Sequence, residues 1–298
     1  MRAQHFDYEL IDCGRFRRLE RFGDRIIERS CPQATWPMKS NTSPFIKGGI
    51  KGGFSATNDR LLHARFIRKP GQKSQWKKPA ELSDTWSIKV GKNITAELRL
   101  SSQGQVGIFP EQFDNWQWIN DIVTDVKTPK KILNAFAYTG MSTLFASTKY
   151  TTITHLDGAK SAISWAKRNA ELSNMTDHKI RWICDDVLKF MAREVRRGNS
   201  YDGIILDPPA FGRGGKTDWK IERDLPELMK LTTQLLTNKP LFVILTCHAP
   251  KHFSPRDLAQ MLTKIPQFSA QKAEQLRLRI PSTQGNSLVS SFGARVRR

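Results

Sequence analysis

Hydrophobic and polar positions along this chain follow two rhythms. Up to about residue 120 the apolar residues come in short alternating runs broken by turn residues, the period-two signature of half-buried strands. Tyr8–Ile11, Trp86–Val90 and Ile94–Leu100 read as such strands, the last with Ile94, Ala96, Leu98 and Leu100 on one face. From about residue 121, short apolar runs alternate with amphipathic stretches. Strands are expected at Lys131–Phe136, Thr152–Asp157, Ile180–Cys184, Gly203–Leu206 and Leu241–Thr246. Helices are expected from about Ser142 and over Ala159–Leu172, Val187–Arg197 and Leu225–Leu236, and Leu276–Ile280 with Ser291–Val296 suits a closing hairpin. Strand–helix alternation implies a parallel sheet with helices on both faces. The fold class is therefore α/β, with a small mostly-β domain over residues 1–120 and a larger sheet domain over 121–298.

Charge changes the picture of the first domain. The chain has 298 residues and a net charge of +20, which points to a polyanionic partner such as RNA, DNA or an acidic membrane face. Lys47–Lys78 carries nine cations against the single acid Asp59, with Phe54, Phe66 and Trp76 interleaved. Part of it reads as a loop through GGIKGG and Pro70-Gly71. Basic residues mixed with aromatics suit looped or single-stranded RNA, through phosphate contacts and base stacking, and Lys73, Trp76 and Lys77 are the candidates here. A solvated basic surface would look similar. No apolar run is long enough to span a bilayer, and the N-terminus has neither a secretory nor a transit pattern, so a cytoplasmic protein is expected. Cys13, Cys31, Cys184 and Cys247 are scattered, and neither they nor His155 and His252 have metal-ligand spacing.

In an open parallel sheet, ligands bind outside the carboxyl ends of the strands. After the first strand of the second region comes Phe136-Ala137-Tyr138-Thr139-Gly140, where glycine permits close backbone approach. The second ends at Asp157, placed to accept hydrogen bonds from the two hydroxyls of a ribose, and Asp185-Asp186 follows the third. The fourth ends in Asp207-Pro208-Pro209-Ala210-Phe211, a loop stiffened by two prolines with an aromatic ring that suits stacking on a base. Singly, each acid would serve equally well as a helix cap. Their order on four successive strands carries the weight.

The segments NAFAYTG (134–140), LDGAKSAISWAKRNAEL (156–172), CDDVLKF (184–190) and YDGIILDPPAFGRG (201–214) resemble the bacterial 23S ribosomal RNA methyltransferases that make 5-methylcytosine, and their relatives, over roughly residues 86–250. GIFPEQFDNW (107–116) is similar to a stretch that in that family lies over the cofactor; Phe109 and Gln112 match it, while Phe113 stands where the family has arginine. The resemblance implies a Rossmann-like class I methyltransferase domain with a mostly parallel seven-stranded sheet, and S-adenosylmethionine as cofactor with no metal. It implies that Phe109, Gln112, Phe136, Tyr138, Thr139 and Gly140 line the cofactor, Asp157 binds its ribose and Asp186 its adenine. Asp207 and Pro208 would face the transferring methyl, with Phe211 toward the target base. It also places Cys247, in VILTCHAP (243–250), where the family has a cysteine. A thiolate there, with His248 near, would add to cytosine C6 and make C5 nucleophilic. Without it, the DPPA loop suits methylation of an exocyclic base amine, although Ala210 stands where amine-methylating loops have an aromatic residue. The expected activity is methylation of RNA, most readily ribosomal RNA. Methylation of a protein or small molecule, which would not need the basic charge, and a non-catalytic RNA-binding assembly factor are the rivals. Oligomeric state is not legible.

Overall fold

The computed structural model describes residues 6–39, 62–68, 74–212, 218–248 and 253–298. The chain divides into two compact units. The first runs to Pro110 and takes in Arg279–Val289; the second is Glu111–Leu278 with Ser290–Arg298.

In the first unit, β1 (Tyr8–Gly14), β2 (Arg17–Phe22), β3 (Arg25–Ser30), β4 (Ala64–Ile67) and β5 (Gln75–Lys77) form a five-stranded sheet in that order. The hairpin of β6 (Thr85–Lys89) and β7 (Thr95–Arg99) forms a second sheet. β2 and β3 escape the hydrophobic rhythm because charged Glu20, Glu28 and Arg29 are buried among Leu19, Phe22, Ile26 and Ile27. Glu20 is fully buried and accepts from Arg29 Nε and Nη2 at 2.8 and 2.9 Å and from the Tyr8 hydroxyl at 3.0 Å. Burial pushes its carboxyl up, but Arg18 and Arg29 beside it outweigh that and hold it below the usual range. Glu28, also buried, pairs with Arg17 and Arg65. Such pairs tolerate burial only because each charge is matched and hydrogen-bonded. β4 and β5 lie inside the basic Lys47–Lys78 stretch; residues 47–61 and 69–73 of it lie outside the described residues.

The second unit holds α1 (Phe113–Thr124), β8 (Lys130–Ala135), α2 (Met141–Phe145), β9 (Thr151–Asp157), α3 (Lys160–Leu172) and β10 (Ile180–Cys184). It continues through α4 (Val187–Arg196), β11 (Gly203–Leu206), a small hairpin of β12 (Phe211–Gly212) and β13 (Trp219–Lys220), α5 (Ile221–Leu235), β14 (Phe242–Cys247) and α6 (Pro255–Thr263). β15 (Glu274–Pro281) and β16 (Ser287–Arg297) close it, their far ends belonging to the first unit. The seven-stranded sheet runs β10-β9-β8-β11-β14-β16-β15; the first five strands are parallel and β16 is antiparallel to β14. Strand alternation splits the core in two. Leu133, Leu206, Val243 and Leu245 pack with α4, α5 and α6, while Ile132, Ile205, Phe242 and Ile244 pack with α1. The helix expected from Ser142 is only five residues long, and α1, which begins upstream of residue 120, buries Phe113, Trp116, Ile119 and Val123 at three- and four-residue spacing.

Candidate active site

The parallel strands end together, and their last residues meet. Beyond β8 the chain takes left-handed backbone angles at Phe136 (φ +57°), Tyr138 (φ +47°) and Gly140 (φ +88°). Two non-glycine residues in that region cost about 1 kcal/mol each and persist where the surroundings over-determine them. Here the surroundings do. Tyr138 N–H donates to Asp157 Oδ2 at 2.8 Å, Ala137 N–H donates to the Leu156 carbonyl, and Asn169 Nδ2 on α3 donates to the Thr139 carbonyl at 2.8 Å. A Cβ on Gly140 would come within 3.0 Å of the Ala166 Cβ. Below the loop, Asn134 Nδ2 donates to Thr143 Oγ1, which also shares a hydrogen bond with His155 Nδ1, both at 2.8 Å. Burial drives the His155 pKa down to about 3, against a hydrogen bond to the Tyr138 backbone, so the ring is neutral.

Asp157 is held from two sides by backbone. Its Oδ1 accepts from Ala159 N–H at 2.8 Å, and Tyr138 N–H takes Oδ2. Burial raises its pKa, opposed by those two hydrogen bonds. An ionised carboxylate only accepts, with about four lone-pair positions, so each oxygen retains capacity for a ribose hydroxyl. The donor set therefore fits a nucleoside cofactor. Asp185 N–H donates to the Asp157 carbonyl, bringing the ends of β9 and β10 together. Asp185 pairs with Arg193, and Asp186 caps α4 by accepting from Lys189 N–H at 2.9 Å. The capping role open to any strand-end acid is thus taken by Asp186.

Asp207 is held instead by side chains. Its Oδ1 accepts from the Thr246 hydroxyl at 2.6 Å, and its Oδ2 from Gln112 Nε2 at 3.2 Å. Gln112 Nε2 also donates to Thr246 Oγ1 at 3.0 Å, closing a three-membered ring of hydrogen bonds, and His248 Nε2 lies 3.9 Å from Oδ1. The loop that follows is fastened at Pro209, whose carbonyl accepts from Trp219 Nε1 at 2.7 Å; the Trp219 ring packs on Phe136 with centroids 4.8 Å apart. Phe211 opens the β12–β13 hairpin and is 51% exposed, one of two large apolar side chains left in solvent among the described residues. Phe113, standing where an arginine was expected by resemblance, packs edge-on to Trp116 and Phe145.

Other expected site residues are placed elsewhere. Cys247 lies beyond Thr246 on β14, but alternation turns it to the opposite strand face, fully buried in the cluster with Leu206, Leu245 and Ala259. Phe109 belongs to the first unit and is half-buried. Trp76 spends its indole N–H on the Ser101 carbonyl at 2.7 Å and packs on Phe66; Lys77 is exposed on β5; Lys73 lies outside the described residues. Thr246, Asn169, Thr143 and Trp219 went unread, since a polar residue in an apolar run gives no sign of which partner it meets. Among the described residues no cluster of side chains suits a metal ion, and no helix is long and apolar enough to cross a membrane.

A twisted parallel sheet that gathers a strained glycine turn and two preset carboxylates at its strand ends is the framework of enzymes that use a nucleoside cofactor. Comparison with known proteins makes the class specific. The profile of the S-adenosylmethionine-dependent methyltransferases matches residues 49–249, and the chain belongs to that family. A solved SAM-dependent methyltransferase from Agrobacterium tumefaciens is 30% identical, with a TM-score of 0.85 over 98% of this chain and 90% of that one. The ribosomal RNA large subunit methyltransferase K/L of Syntrophotalea carbinolica is 37% identical over 112 residues, 36% of this chain and 15% of that protein. The ribosomal RNA large subunit methyltransferase I of Aeromonas salmonicida is 27% identical over 158 residues, 53% of this chain and 38% of its own length. The chain thus spans well under half the length of these curated relatives.

Proposed function

We propose that this enzyme methylates a nucleobase of RNA, a ribosomal RNA being the first choice, at an exocyclic amine rather than at cytosine C5. The observation that carries the reading is the Asp207 loop. A carboxylate with one lone pair of each oxygen already occupied by a fixed donor stands four residues before Phe211, the exposed aromatic residue that opens the β12–β13 hairpin. The ring of Phe211 suits stacking on an extruded base, and the remaining lone pairs of Asp207 suit its N–H hydrogens. The names of the curated relatives and the net charge of +20 support RNA over a small molecule. Cys247 argues against C5, because its sulfur is fully buried on the face of β14 opposite Thr246.

Bound S-adenosylmethionine supplies a methyl group whose leaving sulfur is already positively charged. Asp157 holds the ribose through lone pairs that its two backbone donors leave over, and the rigid 136–140 backbone lies against that carboxylate. Thr139 and Gly140 line the methionine part. Asp207 accepts the amine hydrogens, orients the nitrogen lone pair and takes up the proton released as the carbon–nitrogen bond forms. Pro208 and Pro209 keep the loop from relaxing, so the contribution of the protein is chiefly alignment.

The test is transfer of radiolabelled methyl groups to total RNA from cells lacking the enzyme, followed by nucleoside analysis, with Cys247→Ala in parallel. Label in an N-methylated base that persists in the variant supports the reading. Label in 5-methylcytosine that disappears in the variant overturns the choice of atom, and absence of label in RNA overturns the substrate.

A further inference from the structure

The ring around Asp207 is the inner end of a longer line of polar side chains. Arg295 on β16 makes a two-pronged pair with Glu274, Nε to Oε2 at 2.7 Å and Nη2 to Oε1 at 3.0 Å, and its guanidinium lies over the Trp118 ring, 4.9 Å from the centroid. Its remaining Nη1 donates to Asn115 Oδ1 at 3.2 Å. Asn115 in turn donates from Nδ2 to Gln112 Oε1 at 2.7 Å. Asn115 and Gln112 are buried, so neither amide can trade its partner for water.

We propose that Gln112 is a positioning residue for Asp207, and that the charge of Arg295, passed through the amide of Asn115, decides which way Gln112 faces. The direction follows from donor and acceptor chemistry. A guanidinium has no acceptor, so Asn115 must turn its oxygen to Arg295 and therefore its NH₂ to Gln112. Gln112 must then give its oxygen to Asn115, which leaves both Nε2 protons for Asp207 and Thr246. Thr246 accepts one and gives its own proton to Asp207 at 2.6 Å, the Leu206 carbonyl being farther at 3.5 Å. The line ends on the two carboxylate oxygens. A cation on the last β-strand of the chain thereby holds the rotamer of a carboxylate at the end of β11, 88 residues earlier in sequence. The role of Asp207 in accepting the amine hydrogens is taken from the function proposed above.

Reversing the polarity of one link tests this. Asn115→Asp is isosteric and gives Arg295 a full ion pair, so the fold has no reason to fail. An aspartate offers only acceptors, and Gln112 would have to swing its NH₂ toward it and present Oε1 to Asp207. The expected result is a fall of about 10- to 100-fold in kcat for methyl transfer, with S-adenosylmethionine affinity within about two-fold of the parent. Gln112→Met should show a loss of the same order, and Asn115→Asp added to Gln112→Met should cost nothing more, because the link it reverses is gone. A fully active Asn115→Asp, or losses that multiply in the double variant, would overturn the proposal; multiplied losses are what a merely structural role would produce. Should the parent label no RNA, the RNA reading fails and the relay is judged on the side-chain amide NMR signals of the intact chain. The Gln112 NH₂ protons should exchange slowly and shift in both Asp207→Asn and Asn115→Asp. Rapid exchange, or no shift in either, would dispose of it.

Discussion

Asp157 and Asp207 end strands on either side of β8 in one sheet, yet they are held by opposite means. At Asp157 the donors are backbone N–H groups of Tyr138 and Ala159, set by the local path of the chain. At Asp207 they are the side chains of Gln112 and Thr246, which come from 95 residues earlier and 39 later. The difference teaches where each end is vulnerable. No substitution short of proline removes a backbone donor, so the Asp157 end is disturbed only by changing the carboxylate, by proline at Tyr138 or Ala159, or by bending the loop. The Asp207 end can be retuned by any residue along its line of amides.

The largest effect expected is Asp207→Ala, which should lower methyl transfer by about 10²- to 10⁴-fold with cofactor affinity changed only a few-fold. Equal losses in both quantities would merge the two ends into one site and break the comparison. Asp157→Ala should do the converse, weakening S-adenosylmethionine binding by about 100-fold through loss of charge-assisted hydrogen bonds, as calorimetry would read. The same carboxylate carries a pH signature. Burial raises its folded pKa above the unfolded value, so the native chain takes up this proton before the unfolded chain as pH falls. Cofactor affinity should therefore decline at a pH above the ordinary carboxylate range, while the stability of the cofactor-free protein gains from this group over the same window. An affinity profile flat down to the ordinary range would remove Asp157 from the ribose.

Bending the loop sharpens the contrast further. Gly140→Ala puts a side chain at φ +88° and within 3.0 Å of Ala166, and should cost about 1–3 kcal/mol of stability by thermal unfolding, with cofactor affinity falling alongside. The smallest effect belongs to Cys247→Ala. Loss of one buried sulfur should cost about 1 kcal/mol or less and leave methyl transfer unchanged. A variant that is stable but inactive would return the thiol to the chemistry.

Much of the second unit was legible because its strands are short apolar runs that end in chemistry. Ile180–Cys184 and Gly203–Leu206 form as read, and the acids follow the strands in the expected order. The first unit was less legible. In Arg17–Phe22 and Arg25–Ser30 the buried Glu20, Glu28 and Arg29 are interleaved with buried Leu19, Phe22, Ile26 and Ile27, and a hydrophobicity pattern cannot see a charge that is buried because its partner is one strand away. Cys247 shows the same limit at one residue: the spacing brings a cysteine to the end of β14, but the pleat decides whether Thr246 or Cys247 faces Asp207.

Local covalent order was enough for the class of fold, the strand ends, the glycine turn and the proline-stiffened acidic loop, since each depends on residues within a few positions of one another. The directions of the hydrogen bonds were not contained in it. The Gln112–Asn115 pair, Asp207, Thr246, Glu274 and Arg295 are far apart along the chain, and only the closed sheet brings them within bonding distance. An amide has two faces of opposite polarity, and which one it turns to a carboxylate is settled by the neighbour that packing supplies.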